Sequence, residues 1–345
     1  MNIQSQVISV SGLRKRFNLE AGFFAPLGRY VHAVNGVTFA IGRNESYGLV
    51  GESGCGKTTT ARLLVRMYES DEGEILFRGQ DVPDSDDKSS GIQDVKKLKG
   101  RELKHYREKV KYVFQDPARS LNPRMTVYDV LTSGARWSAG KKGTGKNEFR
   151  EEAAAILEEV GLSAQDLLRR PAEFSGGQRQ RISIARGLIM RPDILICDEV
   201  VSALDVSIQG QILNLLLDIR SRRKISFLFI AHDLKVASYF CDRIGVMYRG
   251  EIMEEAPALK LWKDHLHPYT ELLFSSVGYA GNSDISQSSP ARTLPSAPGG
   301  RTAGAESITD GCAFALRCPY AETRCFREKP ELAESGAGHL VRCWR

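Results

Sequence analysis

No segment of this 345-residue chain is apolar for long enough to cross a bilayer. The most compact apolar runs, 225–231 and 194–197, fall far short of the ~20 residues that a spanning helix needs, so the chain is not expected to cross a membrane itself. The N-terminus, MNIQSQVISVSG, has neither a basic n-region nor an apolar h-region; no secretory signal is read, and the cytoplasm is the expected compartment. Charge of one sign is in only slight excess, with 48 Lys and Arg against 42 Asp and Glu leaving +6. That balance allows phosphates or anionic membrane surfaces as partners but lacks the strongly basic footprint of a nucleic-acid domain. Cysteine is sparse over the first 300 residues, where it occurs at Cys55, Cys197 and Cys241, and no internal repeat is visible.

What is present is an ordinary globular composition, 42% hydrophobic and 26% charged, in a length that suits two units or one large domain with an appendage. Between Val7 and Val50 the segments VISVSGL, HAVNGVTFAI and YGLVG read as strands, and 58–68 has helical spacing. The glycine- and proline-containing stretch 17–30 reads as a hairpin excursion, and the polar stretches 80–109 and 138–147 as surface insertions. Further helices are expected at 148–160, 178–190 and about 207–222, with buried strands at 194–197 and 225–230. Strand, helix and strand in that order imply a parallel α/β core. Residues 279–307, rich in Ser, Gly, Ala and Pro, read as a flexible linker.

Two motifs carry phosphate chemistry. Gly51-Glu52-Ser53-Gly54-Cys55-Gly56-Lys57-Thr58, followed by Thr59, fits G-x-x-x-x-G-K-[ST] between a predicted strand and a predicted helix. Its glycines let backbone N–H groups turn inward on a phosphate, Lys57 adds a point charge, and Thr58 offers a hydroxyl to Mg²⁺. Downstream, the apolar run DILICDE ends in Asp198, suited to hold Mg²⁺ through water, and Glu199, suited to polarise an attacking water. Ser175, Gly176, Gly177 and Gln178 open the predicted helix QRQRISIARGLIM, whose free N–H groups offer a second anion site.

Phe174-Ser175-Gly176-Gly177-Gln178-Arg179-Gln180-Arg181 resembles the signature of ATP-binding cassette (ABC) transporter ATPases. Gln115 in VFQDP looks like the family's Q-loop glutamine and a further Mg²⁺ ligand, Ser202-Ala203-Leu204-Asp205 like its D-loop, and His232 in FLFIAHDL like its switch histidine. The wording VFQDPARSLNPRMTV (113–127), EFSGGQRQRI (173–182) and VSALDVSI (201–208), and a His-Pro-Tyr at 267–269, are similar to the peptide/nickel importer ATPases of dipeptide and oligopeptide permeases. Departures are Cys55 for a usual serine, Thr59 after Thr58, Asn44 for a glycine and Val200 for a proline; none removes a group given a chemical role.

The resemblance implies a RecA-like parallel-sheet core with an N-terminal antiparallel β subdomain and a helical signature subdomain at about 116–168, together forming a nucleotide-binding domain over 1–274. A linker (275–309) and a cysteine-rich tail (310–345) follow. It implies MgATP hydrolysis, with Glu199, His232 and Gln115 catalytic. The signature of one cassette would close on the phosphate held by a second, so a second ATPase subunit in a heterodimer is expected. Further expected partners are two transmembrane permease subunits and an extracytoplasmic solute-binding protein, with the chain peripheral on the cytoplasmic face of the inner membrane and no nucleic acid bound. An adenine platform falls to Phe17, with Tyr30 or a phenylalanine of the excursion as alternatives. A soluble cassette ATPase of DNA repair or translation is the competing reading. Ser175 lies only 118 positions after Lys57, which leaves no room for the long coiled coil many such proteins insert there.

Cys312, Cys318, Cys325 and Cys343 crowd into the last 34 residues, which in a reducing compartment suggests a metal centre before disulfides. Four thiolates suit tetrahedral Zn²⁺ or an iron–sulfur cluster, and the lack of paired C-x2-C knuckles weighs toward iron. The resemblance adds that related dipeptide transporters carry a 4Fe–4S cluster in this tail.

Overall fold

The structure is a computed structural model that describes residues 5–18, 30–79, 92–139, 149–276 and 310–345. Most of the excursion at 17–30, the first part of 80–109, nearly all of 138–147 and the whole of 279–307 lie outside the described residues. Among those described, the strands in chain order are β1 (Gln6–Asn18), β2 (Tyr30–Gly42), β3 (Ser46–Val50), β4 (Glu72–Phe77), β5 (Gln93–Asp94), β6 (Val110–Val113), β7 (Ile194–Asp198), β8 (Ser226–Ala231), β9 (Arg243–Tyr248), β10 (Glu251–Pro257), β11 (Ala333–Gly336) and β12 (His339–Val341).

The alternating N-terminal segments form an antiparallel sheet in the order β2-β1-β4-β5. The uninterrupted apolar segments go elsewhere. Strands β3, β7 and β8 are buried at every residue, as expected of strands covered on both faces, and belong to an eight-stranded sheet in the order β11-β12-β10-β9-β3-β8-β7-β6. From β9 to β6 all pairings are parallel. The sheet as a whole is mixed, because β10, β12 and β11 continue it with antiparallel pairings.

The two-residue period of β8 divides the interior into two cores. Leu228 and Ile230 face the N-terminal sheet and the helix Lys57–Leu64, whereas Phe227 and Phe229 face the helices Gly176–Leu188 and Val206–Arg223. The latter core also takes in the helices Val127–Ala139 and Arg150–Glu159.

One sequence expectation is corrected here. The polar stretch 80–109 is not wholly a surface insertion, for its described part forms β5 and the helix Gly100–Lys109. Val95, Leu98 and Tyr106 are buried, and the Tyr106 hydroxyl donates to the Leu64 carbonyl. Three apolar side chains among many charges suffice to anchor the segment, too few to register as a periodic pattern.

The cysteine-bearing tail is built into the central sheet. Strand β12 pairs with β10, and Arg342 N–H donates to the Met253 carbonyl at 2.8 Å. Fully buried Glu254 on β10 accepts from the backbone N–H groups of Leu266 (2.7 Å) and His267 (3.0 Å) and from Nε2 of His339 (2.7 Å). One carboxylate thus joins the central sheet, the His-Pro-Tyr turn and the tail. Phe314 completes the join, its buried ring 5.3 Å from that of Tyr248 and 5.4 Å from that of Tyr269. Phe314→Ala is expected to cost about 3–5 kcal/mol, as buried aromatic truncations do. Thermal unfolding and limited proteolysis of the full chain check this: a lower midpoint should come with earlier cleavage between residues 310 and 345.

Candidate functional site

Strand β3 ends at Val50 and the chain turns sharply through Gly51, Glu52, Ser53, Gly54, Cys55 and Gly56 into the helix that begins at Lys57. Glycine is required at two of these positions for steric reasons. A Cβ on Gly51 would lie 2.1 Å from the Met247 carbonyl oxygen, and one on Gly56, at φ 110°, would lie 2.1 Å from that of Ala33. The loop is therefore pressed against β9 and β2, with the start of the helix at its centre. Lys57 is only 4% exposed, and its ammonium donates to the carbonyls of Gly51 (2.7 Å) and Glu52 (2.9 Å). Cys55, in the usual serine position, is buried behind the lysine with its thiol 3.8 Å from Nζ; burial pushes that thiol up, so it stays protonated.

The acidic strand end lies directly opposite. Thr58 Oγ1 donates to Asp198 Oδ1 at 3.1 Å, and the Tyr112 hydroxyl donates to Asp198 Oδ2. Burial, then the charge of Asp198, raises the Tyr112 phenol far above its usual range and keeps it a donor. Thr58 and Asp198 thus lie side by side, where both could serve one cation. Gln115 is not part of that pair: its Nε2 donates to Glu199 Oε2 at 2.8 Å, so it touches the general-base candidate instead of the metal-ligand candidates. Glu199 has left-handed backbone (φ 49°), an uncommon conformation for a non-glycine residue and one that recurs at functional turns, and its N–H donates to the Ile230 carbonyl at 3.1 Å.

His232, exposed at the end of β8, shares a small cavity of about 40 Å³ with Glu199, Ser202 and Gln209. Ser175 is the N-cap of the helix Gly176–Leu188, closed by a capping box in which Gln178 N–H donates to Ser175 Oγ (3.4 Å) and Ser175 N–H donates to Gln178 Oε1 (3.0 Å). Gly177 lets that helix start approach the helix Val206–Arg223, since a Cβ there would meet Ile208 at 2.8 Å. Ser175 and Gln178 are exposed, as is Asp205 just ahead of Val206. Within one chain, the hydrogen bonds of Ser175 and Gln178 stay inside their own turn. Phe17 is half-buried and meets Tyr68 edge-on at 5.4 Å.

The four tail cysteines line one cavity of about 340 Å³ together with His267, Pro268 and Phe314. Among the described residues, however, no three His, Cys, Asp or Glu side chains are gathered closely enough to hold a single metal ion. The expected convergence on one metal centre, Zn²⁺ or an iron–sulfur cluster, is therefore not met by a formed metal-binding group: the four thiols share a cavity. The backbone of this ring is closed by a 2.7 Å bond from Cys312 N–H to the Cys325 carbonyl.

Two residues with no role in the site expected from sequence reach the phosphate loop. Tyr269 is fully buried, and its hydroxyl accepts from Glu52 N–H at 2.9 Å. Arg317, next to Cys318, grips the Glu52 carboxylate with both Nη atoms, at 2.9 and 2.8 Å. Burial pulls His267 down to about 4, so the ring is neutral near neutrality and its Nδ1 accepts from Tyr269 N–H at 3.0 Å. His-Pro-Tyr was the available signal for Tyr269; Arg317, 265 positions from Glu52, left none.

Residues 34–202 match the ABC transporter family, and residues 253–325 match the family described as the oligopeptide/dipeptide transporter C-terminal region. The oligopeptide transport ATP-binding protein AppF of Bacillus subtilis is 39% identical over 343 residues, covering 99% of this chain and 97% of that one. Its OppF counterpart in the same organism is 45% identical over 260 residues, covering 75% and 80%. A dimeric, post-hydrolysis structure of the ATP-binding cassette MJ0796 bound to ADP and Pi overlays with a TM-score of 0.59 at 25% identity, covering 73% of this chain and 98% of that one.

The loop geometry separates its glycines. Gly56→Ala must displace backbone and is expected to cost several kcal/mol and abolish nucleotide binding. Gly54→Ala, at φ 80° with nothing within 4 Å of the new Cβ, is expected to cost about 1 kcal/mol and leave most binding intact. Denaturant unfolding and equilibrium MgATP binding on the two variants measure this difference.

Proposed function

The chain belongs to the ABC transporter ATPases, in the branch of the oligopeptide and dipeptide importers, and from that premise we propose how its residues divide the work. As an ATPase of peptide import, it binds ATP on the phosphate loop. Backbone N–H groups from Gly51 to Thr59 surround the phosphates, Lys57 neutralises their charge, and Thr58 with Asp198 hold Mg²⁺. The observation that carries this division is the 3.1 Å bond between Thr58 and Asp198, two residues 140 positions apart whose oxygens are paired as one divalent cation would need them. Glu199 takes the proton of the attacking water, Gln115 holds the carboxylate in place and His232 contacts the γ-phosphate. Phe17 is our choice for the adenine platform.

The exposure of Ser175, Gln178 and Asp205 supports their use across an interface, closing on the nucleotide of a second ATPase subunit in a heterodimer. Among the described residues no helix is long and apolar enough to cross a membrane; on the family reading, translocation falls to partners. These would be two permease subunits, contacted through the helical segment 116–168, and an extracytoplasmic solute-binding protein, with the ATPase on the cytoplasmic face. Peptides are the solute class; the competing reading as a DNA-repair or translation ATPase is not favoured, because the C-terminal match extends through residue 325 to a transporter-specific family.

In the assembled transporter, Lys57→Ala should weaken MgATP binding by about 100-fold or more, since a buried charge-assisted contact is lost. Glu199→Gln should retain binding while slowing hydrolysis by about 10²- to 10⁴-fold, the usual contribution of general-base catalysis. Normal turnover in either variant contradicts its role.

For the tail we infer an iron–sulfur cluster in preference to zinc. Four thiolates suit tetrahedral Zn²⁺ and an iron–sulfur cluster alike; the lack of paired C-x2-C knuckles among Cys312, Cys318, Cys325 and Cys343 weighs toward iron, and the cavity of about 340 Å³ that they line leaves room for a cluster. Bound there, a cluster would tie four chain positions together and contribute folding energy. Anaerobic purification should yield a brown protein with visible charge-transfer absorption and several irons per chain; a colourless protein with one zinc, or none, overturns the inference.

A further inference from the structure

Every polar group of Glu52 is engaged, and two of the three partners come from distant parts of the chain. Its N–H is held by the Tyr269 hydroxyl, its carboxylate by the Arg317 fork, and its carbonyl receives the ammonium of Lys57. We propose that Tyr269 and Arg317 are positioning residues of the nucleotide site, fixing Glu52 and through it the Lys57 ammonium, so that the C-terminal segment sets the affinity for ATP. The proposal rests on the reading of the phosphate loop as the ATP site and assigns to the tail a role in that site.

The two holding residues are themselves immobilised. The Tyr269 ring packs 4.6 Å from Tyr248 and 5.4 Å from Phe314. The Arg317 guanidinium lies over the same two rings, 5.6 Å from Tyr248 and 5.8 Å from Phe314, and Nη1 also reaches the Tyr248 hydroxyl at 3.4 Å. An ordinary surface ion pair contributes little because two flexible side chains must be ordered to form it. Here aromatic packing has already ordered one partner and the tight loop the other, so the planar fork can transmit position as well as charge. Glu52 is the loop residue for which this matters most, because Lys57 is bound to its carbonyl and Cys55 N–H donates to the same oxygen at 3.3 Å.

The test compares Arg317→Met, Tyr269→Phe and Glu52→Gln in the full-length chain within the assembled transporter, with Lys57→Ala as reference. Each of the three should raise KM for MgATP about 3- to 10-fold while kcat at saturating ATP stays within about twofold, the scale of one half-exposed bidentate pair or one hydrogen bond. Combining Glu52→Gln with Arg317→Met should add little to either alone, since both remove one interaction. Arg317→Lys should recover part of the loss, and salt should shrink the Arg317→Met effect but not that of Tyr269→Phe. Unchanged KM in both Arg317→Met and Tyr269→Phe, with Lys57→Ala inactive, overturns the proposal. So does a parallel fall of kcat, expression and melting temperature with no change in KM, which is the mark of a purely structural contact. If Arg317→Met fails to fold, Arg317→Lys and Glu52→Gln decide by the same KM criterion. Retention of MgATP binding by Lys57→Ala would instead remove the phosphate-loop reading, and this proposal with it.

Discussion

Parallel register is the constraint on which this site depends. Strands β3, β8, β7 and β6 run side by side, and their ends are in register to within one residue: Val50 pairs with Ala231, Asp198 with Ile230, and Val113 with Cys197. Whatever follows each strand must therefore emerge along one edge. From β3 comes the phosphate loop, from β7 Glu199, from β8 His232, and two residues beyond β6 Gln115. The carboxyl edge of an open parallel sheet is a general location for ligand sites, because loops from adjacent strands converge there without distorting the ladder. Burial of β3, β7 and β8 on both faces holds the register, since a one-residue slip would exchange the two cores and misplace every loop together.

Along that edge the buried and exposed groups are sorted by task. Lys57 and Asp198 are 4% and 3% exposed, and both are satisfied within the chain, by loop carbonyls on one side and by Thr58 and Tyr112 on the other. Burying a charge without such partners would cost several kcal/mol, so the chain supplies donors and acceptors for each. By contrast Gln115, His232, Ser175 and Asp205 are exposed, free to respond to what approaches from outside. The groups assigned above to phosphate and metal are preorganised; those proposed to act in the reaction or across a partner interface are accessible.

Short-range chemistry made much of this legible in advance. Gly51 to Thr58, the strand ending in Asp198, and Ser175 opening its helix were readable because each motif states its own local geometry: a glycine turn, a buried strand, an N-cap. The N-terminal antiparallel strands were readable from their alternation. Strands β9 to β12 escaped notice, although β10 is almost entirely buried, because acidic residues such as Glu251, Glu254 and Glu255 interrupt its apolar pattern and are compensated only by distant partners. The same reason hid Arg317 and Tyr112. A side chain whose role is set by a contact across the fold carries no mark in its neighbours in sequence.

The tail shows how far such contacts extend. Phe314, Arg317 and Cys318 lie on one short segment, so the ring that packs against Tyr269, the fork that grips Glu52 and a thiol of the cysteine cavity cannot move independently. Glu254 fixes the opposite side of the same assembly by joining β10 to His267 and His339. On the proposed coupling, ordering or loosening of the cysteine ring would reach Arg317 one residue away, and through Glu52 the carbonyl that receives the Lys57 ammonium. Nothing in ATP hydrolysis requires a cysteine-rich appendage. Its attachment to the phosphate loop gives it a route to the chemistry that needs no atom of the tail to touch nucleotide.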